Sequence, residues 1–210
     1  MAFRAKDGGL VWRRSLPGGL HAQPALAADR VYVPLDDGRI VALRVETGEP
    51  VWEQHIGGRP RDVLATDRRV FVGSTDNYFY ALLAGNGEIA WRWPTGADVV
   101  GRPVIDERLV YFVSMDNLAR ALDQKTGAQR WKRPLTLRPT RGPARTDDLF
   151  IASGLAASVL AFRLKDGTPV VVKVRHPHIV ERIRNDLDIL SGLAELAEKW
   201  QAHRRGGIGA

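Results

Sequence analysis

From Ala2 to Val171 the chain alternates short apolar runs with polar turns, and the same order of runs returns again and again. A β-branched and aromatic run comes first in each cycle: VYVPL from Val31, VFVGS from Val70 and VYFVS from Val110. Asp29-Arg30, Asp67-Arg68 and Asp106-Glu107 introduce these runs. A polar turn follows each, at Asp36-Asp37-Gly38, Asp76-Asn77 and Asp116-Asn117. Then comes an Ala with a large apolar residue, Ala42-Leu43, Ala81-Leu82 and Ala121-Leu122. A glycine turn and a Trp close the cycle. The glycines are Gly8, Gly48, Gly87 and Gly127, each four residues before Trp12, Trp52, Trp91 or Trp131. Those Trp residues are 40, 39 and 40 positions apart. Self-similarity at this period marks a repeat architecture.

Strands of about five residues, joined by Asp-Gly or Asn turns, predict four short antiparallel strands per unit. Counted from the Trp, the first strand follows it, as in WEQHIGG. The second is weak and lies near Pro24, Pro103 and Pro143, with Arg61 or Asp62 at that place in the second unit. The third is the VYV-type run and the fourth the IVALR-type run. A lone sheet of this size buries its faces poorly, and radial stacking gives each face a neighbour. The expected fold is therefore all-β: a partial β-propeller of about four four-stranded antiparallel blades, followed by a C-terminal α-helix. An open arc of that kind predicts either a piece of a longer propeller or closure with a second copy.

The fourth unit keeps the pattern through Asp147–Phe162 and places Gly167 forty residues after Gly127. Val171 then stands where a Trp would be. From Pro177 to Trp200 the apolar positions Ile179, Ile183, Leu187, Leu190, Leu193, Leu196 and Trp200 fall three or four apart, which predicts an amphipathic helix. The expected organisation is 1–171 for the repeats, 172–200 for the helical segment and 201–210 for a flexible tail.

Composition changes this picture little. A hydrophobic fraction of 44% is ordinary for a globular protein. The net charge is +7 and the pI about 10.1, but the cations are interleaved with Asp and Glu. The densest patch, Arg138, Arg141 and Arg145, carries no interleaved aromatics, so a solvated surface is expected and nucleic acid is not. Absence of cysteine excludes disulfides, thiolate catalysis and zinc–thiolate sites. The opening MAFRAKDGGLVW lacks the pattern of a secretory signal, and the uncharged run Leu149–Phe162 is too short to span a bilayer; it reads as two strands with a turn.

The stretches ALRVETGEPVW, ALLAGNGEIAW and ALDQKTGAQRW carry an A-x-x-x-x-T-G-x-x-x-W signature. In them the chain resembles the pyrroloquinoline-quinone-type (quinoprotein, BamB-like) β-propeller repeat family, over residues 2–171. The resemblance implies that Gly48, Gly87 and Gly127 make turns and that Trp52, Trp91 and Trp131 pack between blades, with Gly8 and Trp12 in the same places of the first unit. The family holds both quinone-dependent dehydrogenases and cofactor-free scaffolds of the bacterial cell envelope. It therefore implies a periplasmic or envelope location, which the chain itself does not indicate. LKDGTPVVVKVRHPHIVERIRNDLDIL is similar to the start of the UbiB/AarF atypical kinase family, in which Lys173 would be the nucleotide-contacting lysine. A phosphoryl-transfer site also needs metal ligands and a positioned base, and no candidates accompany Lys173.

No catalytic constellation is legible. Trp residues recurring once per unit are read as packing and not as stacking on a quinone. Asp36, Asp76 and Asp116 sit at one turn position and are read as turn formers. His176 and His178 form an H-P-H pair without further ligands, and His21, His55 and His203 are isolated. The expectations are no catalytic residues, no metal and no cofactor, pyrroloquinoline quinone being the alternative. Partners are other proteins, further blades or a second copy, with no nucleic acid and no transmembrane segment. The reading is a protein-binding scaffold; the alternatives are part of a quinone-dependent dehydrogenase, and a fusion with a non-functional piece of a UbiB-like kinase.

Overall fold

The structure, a computed structural model, describes residues 1–155 and 159–170. The described residues contain strands and turns and no helix. A hairpin opens the chain, β1 (Ala2–Phe3) with β2 (Leu10–Trp12). Four sheets follow, each of four consecutive strands. They are β3 (Ala25–Ala27), β4 (Arg30–Pro34), β5 (Arg39–Arg44) and β6 (Pro50–His55); then β7 (Pro60–Ala65), β8 (Arg69–Ser74), β9 (Tyr78–Leu83) and β10 (Ile89–Pro94). The third is β11 (Val99–Ile105), β12 (Leu109–Ser114), β13 (Leu118–Asp123) and β14 (Gln129–Pro134). The fourth is β15 (Ala144–Arg145), β16 (Leu149–Ser153), β17 (Val159–Arg163) and β18 (Pro169–Val170). All pairings are antiparallel between chain neighbours.

The frame of the repeat differs from the sequence expectation. The strand carrying the Trp was expected to open a unit, yet it closes the preceding sheet: Ala42 pairs with Trp52, Ala81 with Trp91 and Ala121 with Trp131. The tight glycine turn makes these strands hairpin partners, so the sheet boundary falls after the Trp strand. The initial hairpin is accordingly equivalent to the last two strands of such a sheet. The strand near the prolines is also better formed than expected in the middle sheets, where β7 and β11 have six and seven residues.

Register also corrects the place of the missing proline. Pro24, Pro103 and Pro143 each precede a residue paired seven positions ahead: Ala25 with Tyr32, Val104 with Tyr111, and Ala144 with Ile151. Leu64 pairs with Phe71 in the second sheet, so the equivalent residue is Val63, not Arg61 or Asp62. Val63 is fully buried and its amide donates to the Gln23 carbonyl at 3.4 Å, a bond proline could not make.

Burial explains the two sequence textures. The second and third strands of the middle sheets lie between neighbouring sheets and are buried on both faces, as in β12, where all six residues are buried. Their sequences are continuous apolar runs. The fourth strands β6, β10 and β14 face a neighbour on one side only, and alternate. The first strands lie side by side, β3 near β7 and β7 near β11. Stacking is continuous through the core: Phe79 of β9 lies on Phe112 of β12 with ring centroids 4.1 Å apart. In the turns between second and third strands, Gly38, Asn77 and Asn117 occupy one equivalent position and all have positive φ, from 58° to 94°. Asn is among the few residues that tolerate that region.

The expected C-terminal helix (177–200), the tail, Val171, Lys173, His176, His178 and His203 lie outside the described residues.

Candidate functional site: blade junctions and rims

The repeated Trp and Gly residues meet across sheets. Each repeat Trp, at one equivalent place in a last strand, lies against the glycine turn of the following sheet. A Cβ added to Gly48 would stand 2.6 Å from Trp12, one at Gly87 2.5 Å from Trp52, one at Gly127 2.8 Å from Trp91 and one at Gly167 2.8 Å from Trp131. These glycines have φ between 69° and 79°, and Gly8, in the first turn, has 69° with open space around it. Two constraints thus coincide at four positions: a left-handed backbone and an indole resting on the α-carbon.

Each indole also donates a hydrogen bond forward. Trp12 Nε1 reaches the Val45 carbonyl at 2.7 Å, Trp52 that of Ala84 at 2.9 Å, Trp91 that of Gln124 at 3.0 Å and Trp131 that of Leu164 at 2.9 Å. Each acceptor stands three residues before the glycine it accompanies. Tyr32 and Tyr111 tilt against Trp52 and Trp131 with centroids 5.7 Å apart, and Phe71 and Phe79 flank Trp91.

The sheets end in two rims. The turns between second and third strands and the sheet-to-sheet connections form one rim. There Asp36, Asp76 and Asp116 do more than shape turns. Asp116 accepts the Gly96 amide at 3.0 Å, so it ties its turn to the connection entering the same sheet. It also holds the buried Arg120 through bonds of 2.5 and 3.1 Å, and Ser114 Oγ donates to it at 2.6 Å. At the equivalent of Arg120, Tyr80 donates to Asp76 at 2.5 Å. Asp36 pairs with His21. Burial pushes the Asp116 carboxyl up, but the Arg120 and Ser114 hydrogen bonds outweigh it and hold the group below its ordinary range. Sequence reading missed this network. Its signal is an Arg inside the buried run Leu118–Leu122, four residues after an Asp.

On the same rim, Arg61, Asp98, Val99 and Gly101 line a cleft of about 650 Å³. Arg61 and Asp98 pair at 2.9 Å. Beside them Gly101, at φ 60°, lets β11 approach the Gly142 backbone, whose nitrogen would stand 2.3 Å from a Cβ at that position. A quinone with its calcium would need carboxylate oxygens converging on one point and a free aromatic face. Here the Asp98 carboxylate is held by Arg61, the repeat Trp faces rest on glycine turns, and no group of three or more His, Asp or Glu among the described residues could hold a metal.

The opposite rim carries the glycine turns and the turns between first and second strands. It is cut by clefts at the junctions, with Arg68, Arg108 and Lys125 in one and Arg108, Arg130 and Lys165 in the next. Of the expected dense patch, Arg138 and Arg141 sit in the connection before β15, and Arg145 in β15 donates to the Ile105 carbonyl at 2.5 Å.

These features have relatives. A BamB from Yersinia pestis, an outer membrane protein assembly factor, is 25% identical over 85% of this chain and 52% of its own length. A tetrathionate hydrolase of Acidithiobacillus ferrooxidans is 24% identical over 79% of this chain and 38% of its own. The chain thus spans at most about half the length of these curated relatives. Among solved structures, BamB from Moraxella catarrhalis superposes with a TM-score of 0.69 at 21% identity, over 82% of this chain and 57% of that one, so the four sheets share its fold. The family model described as outer membrane protein assembly factor BamB matches residues 1–66 and 37–178, and so extends across Lys173 into the stretch for which a kinase resemblance was expected. With its repeat, its sheets and this match in agreement, the chain belongs to the BamB family of outer membrane protein assembly factors.

Proposed function

We propose that this chain is a non-catalytic β-propeller scaffold that holds other proteins, and that its partners are components of outer-membrane protein assembly in the bacterial cell envelope. One observation carries the reading: each of the four repeated Trp residues is engaged with the glycine turn of the next blade. The recurrent chemistry of the chain therefore serves rigidity, and its variable residues stand on the rims, where a rigid frame presents binding groups. Relatives named for outer membrane protein assembly favour envelope partners. Among the described residues no helix is long and apolar enough to cross a membrane.

The test is cross-linking followed by affinity purification of the protein from its own cells. Enrichment of outer-membrane assembly proteins is expected. Recovery of the chain alone, with its fold intact, overturns the reading. The tetrathionate hydrolase relative supplies the enzymatic rival. Turnover of tetrathionate, or dye reduction with alcohols after loading with quinone and calcium, would replace the scaffold by an enzyme.

A further inference from the structure

The repeat makes departures from it informative. Beside the Trp–Gly contacts, the same few positions of each repeat stand on the glycine-turn rim. At the junction of the first and second complete sheets these are Asp29, Arg30, Val51, Gln54, Gly85 and Asn86. The one cation there, Arg30, is already bonded to the Ala84 and Gly85 carbonyls at 2.6 and 3.0 Å and pairs with Asp29 at 3.4 Å. At the next junction three of the six equivalent positions are basic, Arg68, Arg69 and Lys125, and at the one after it four are, Arg108, Arg130, Arg133 and Lys165. These residues line adjoining clefts of about 670 and 450 Å³ that share Arg108.

The cations are available. Arg68, Lys125 and Lys165 are exposed and form no side-chain hydrogen bond or ion pair among the described residues. Arg108 and Arg130 share a single carboxylate, Asp123, at 3.3 and 3.6 Å. That carboxylate is mostly buried, and its other oxygen caps the glycine turn through the Lys125 and Thr126 amides. Two guanidinium groups on one fixed carboxylate leave a net positive edge pointing outward. Arg133 is anchored to the Asp166 and Gly167 carbonyls, which fixes the floor beside Trp131.

We propose that these two adjoining clefts form one groove that binds an acidic polypeptide segment, with Arg68, Lys125, Arg108, Arg130 and Lys165 receiving its carboxylates. Asp67, Glu107, Asp123 and Asp166 interrupt the cations. They would repel a continuous polyphosphate, yet they match a peptide whose acidic side chains are spaced by other residues. The groove offers no free aromatic face for bases, since Trp131 is 5% exposed and covered by the glycine turn. The proposal rests on the scaffold reading and assigns it a surface.

The experiment uses fluorescence anisotropy with the full chain and a labelled peptide of repeating Glu-Ser. Oligo-thymidylate, vesicles of phosphatidylglycerol and a Gln-Ser peptide serve as rivals. Salt-sensitive binding of the Glu-Ser peptide is expected, and none of the Gln-Ser peptide. The double variant Lys125→Glu, Lys165→Glu should weaken it about tenfold or more. Arg59→Glu, on the opposite rim, should leave it unchanged. Both variants touch exposed side chains, and their circular dichroism should match the parent. Equal affinity in the double variant, or tighter binding of thymidylate or vesicles than of the peptide, overturns the proposal. If the peptide fails while assembly proteins still co-purify, the groove is wrong and the scaffold stands; if both fail, the scaffold falls as well.

Discussion

Trp91 lies flat on Gly127: a Cβ built on that glycine would stand 2.8 Å from the indole Cδ2, and the indole nitrogen bonds the Gln124 carbonyl at 3.0 Å. Gly127→Ala therefore meets two obstacles, a left-handed φ of 74° and an indole that must move. The expected destabilisation is about 2–4 kcal/mol, read from urea midpoints. Gly8→Ala, with the same backbone but nothing within 4 Å, should cost only the backbone part, about 1–2 kcal/mol.

The hydrogen bond and the packing of a Trp are separable. Trp131→Phe removes the nearer donor to the Leu164 carbonyl, which keeps only the Tyr111 hydroxyl at 3.4 Å, and should cost about 1–3 kcal/mol. Trp131→Ala also empties the space beside Tyr111 and Phe150, whose ring centroids are 5.7 and 5.9 Å from the indole, and should cost about 3–5 kcal/mol. Equal losses in the two variants would mean that packing contributes little.

Val63 and the prolines make a paired test. Val63→Pro removes the amide that reaches the Gln23 carbonyl and should destabilise by about 1–3 kcal/mol, although proline stands at this place in three other sheets. The reverse change, Pro103→Val, should be milder. Thermal melts of both variants decide it.

Asp116 supplies a pH dependence. Its folded pKa lies below the ordinary 3.8, so its contribution is present above that value and is lost as pH falls through the folded pKa. Relative to Asp116→Asn, the parent should be more stable near neutrality, and the gap should close below about pH 4. Other carboxylates, Asp37 and Asp123 among them, are lowered too, so the difference between the two proteins is the quantity to follow.

Asn117, at φ 58°, tests the turn. Asn117→Gly should be nearly neutral, and Asn117→Ala should lose about 1 kcal/mol, visible as a lowered melting temperature.

The strands and their turns were legible because spacing survives any choice of frame. The frame itself was not. A period of forty reads the same wherever counting starts, and only the pairing of Ala81 with Trp91 shows which sheet owns the Trp strand. The indole acceptors were hidden for another reason. Val45, Ala84, Gln124 and Leu164 contribute backbone oxygens, which leave no mark on side-chain identity. The basic groove escaped because Arg68, Arg108, Lys125 and Lys165 come from four separate turns, whereas the patch that stands out in the sequence, Arg138 to Arg145, is divided between a connection and a strand.

The four repeat indoles, those of Trp12, Trp52, Trp91 and Trp131, all point the same way along the chain, from one sheet to its successor. The array consequently has polarity: each of the first three complete sheets shows a donor surface on one side and a receiving surface on the other, and the two are not alike. Such heterologous surfaces associate head to tail, and a two-fold rotation that set identical sides together would leave both indoles facing no glycine.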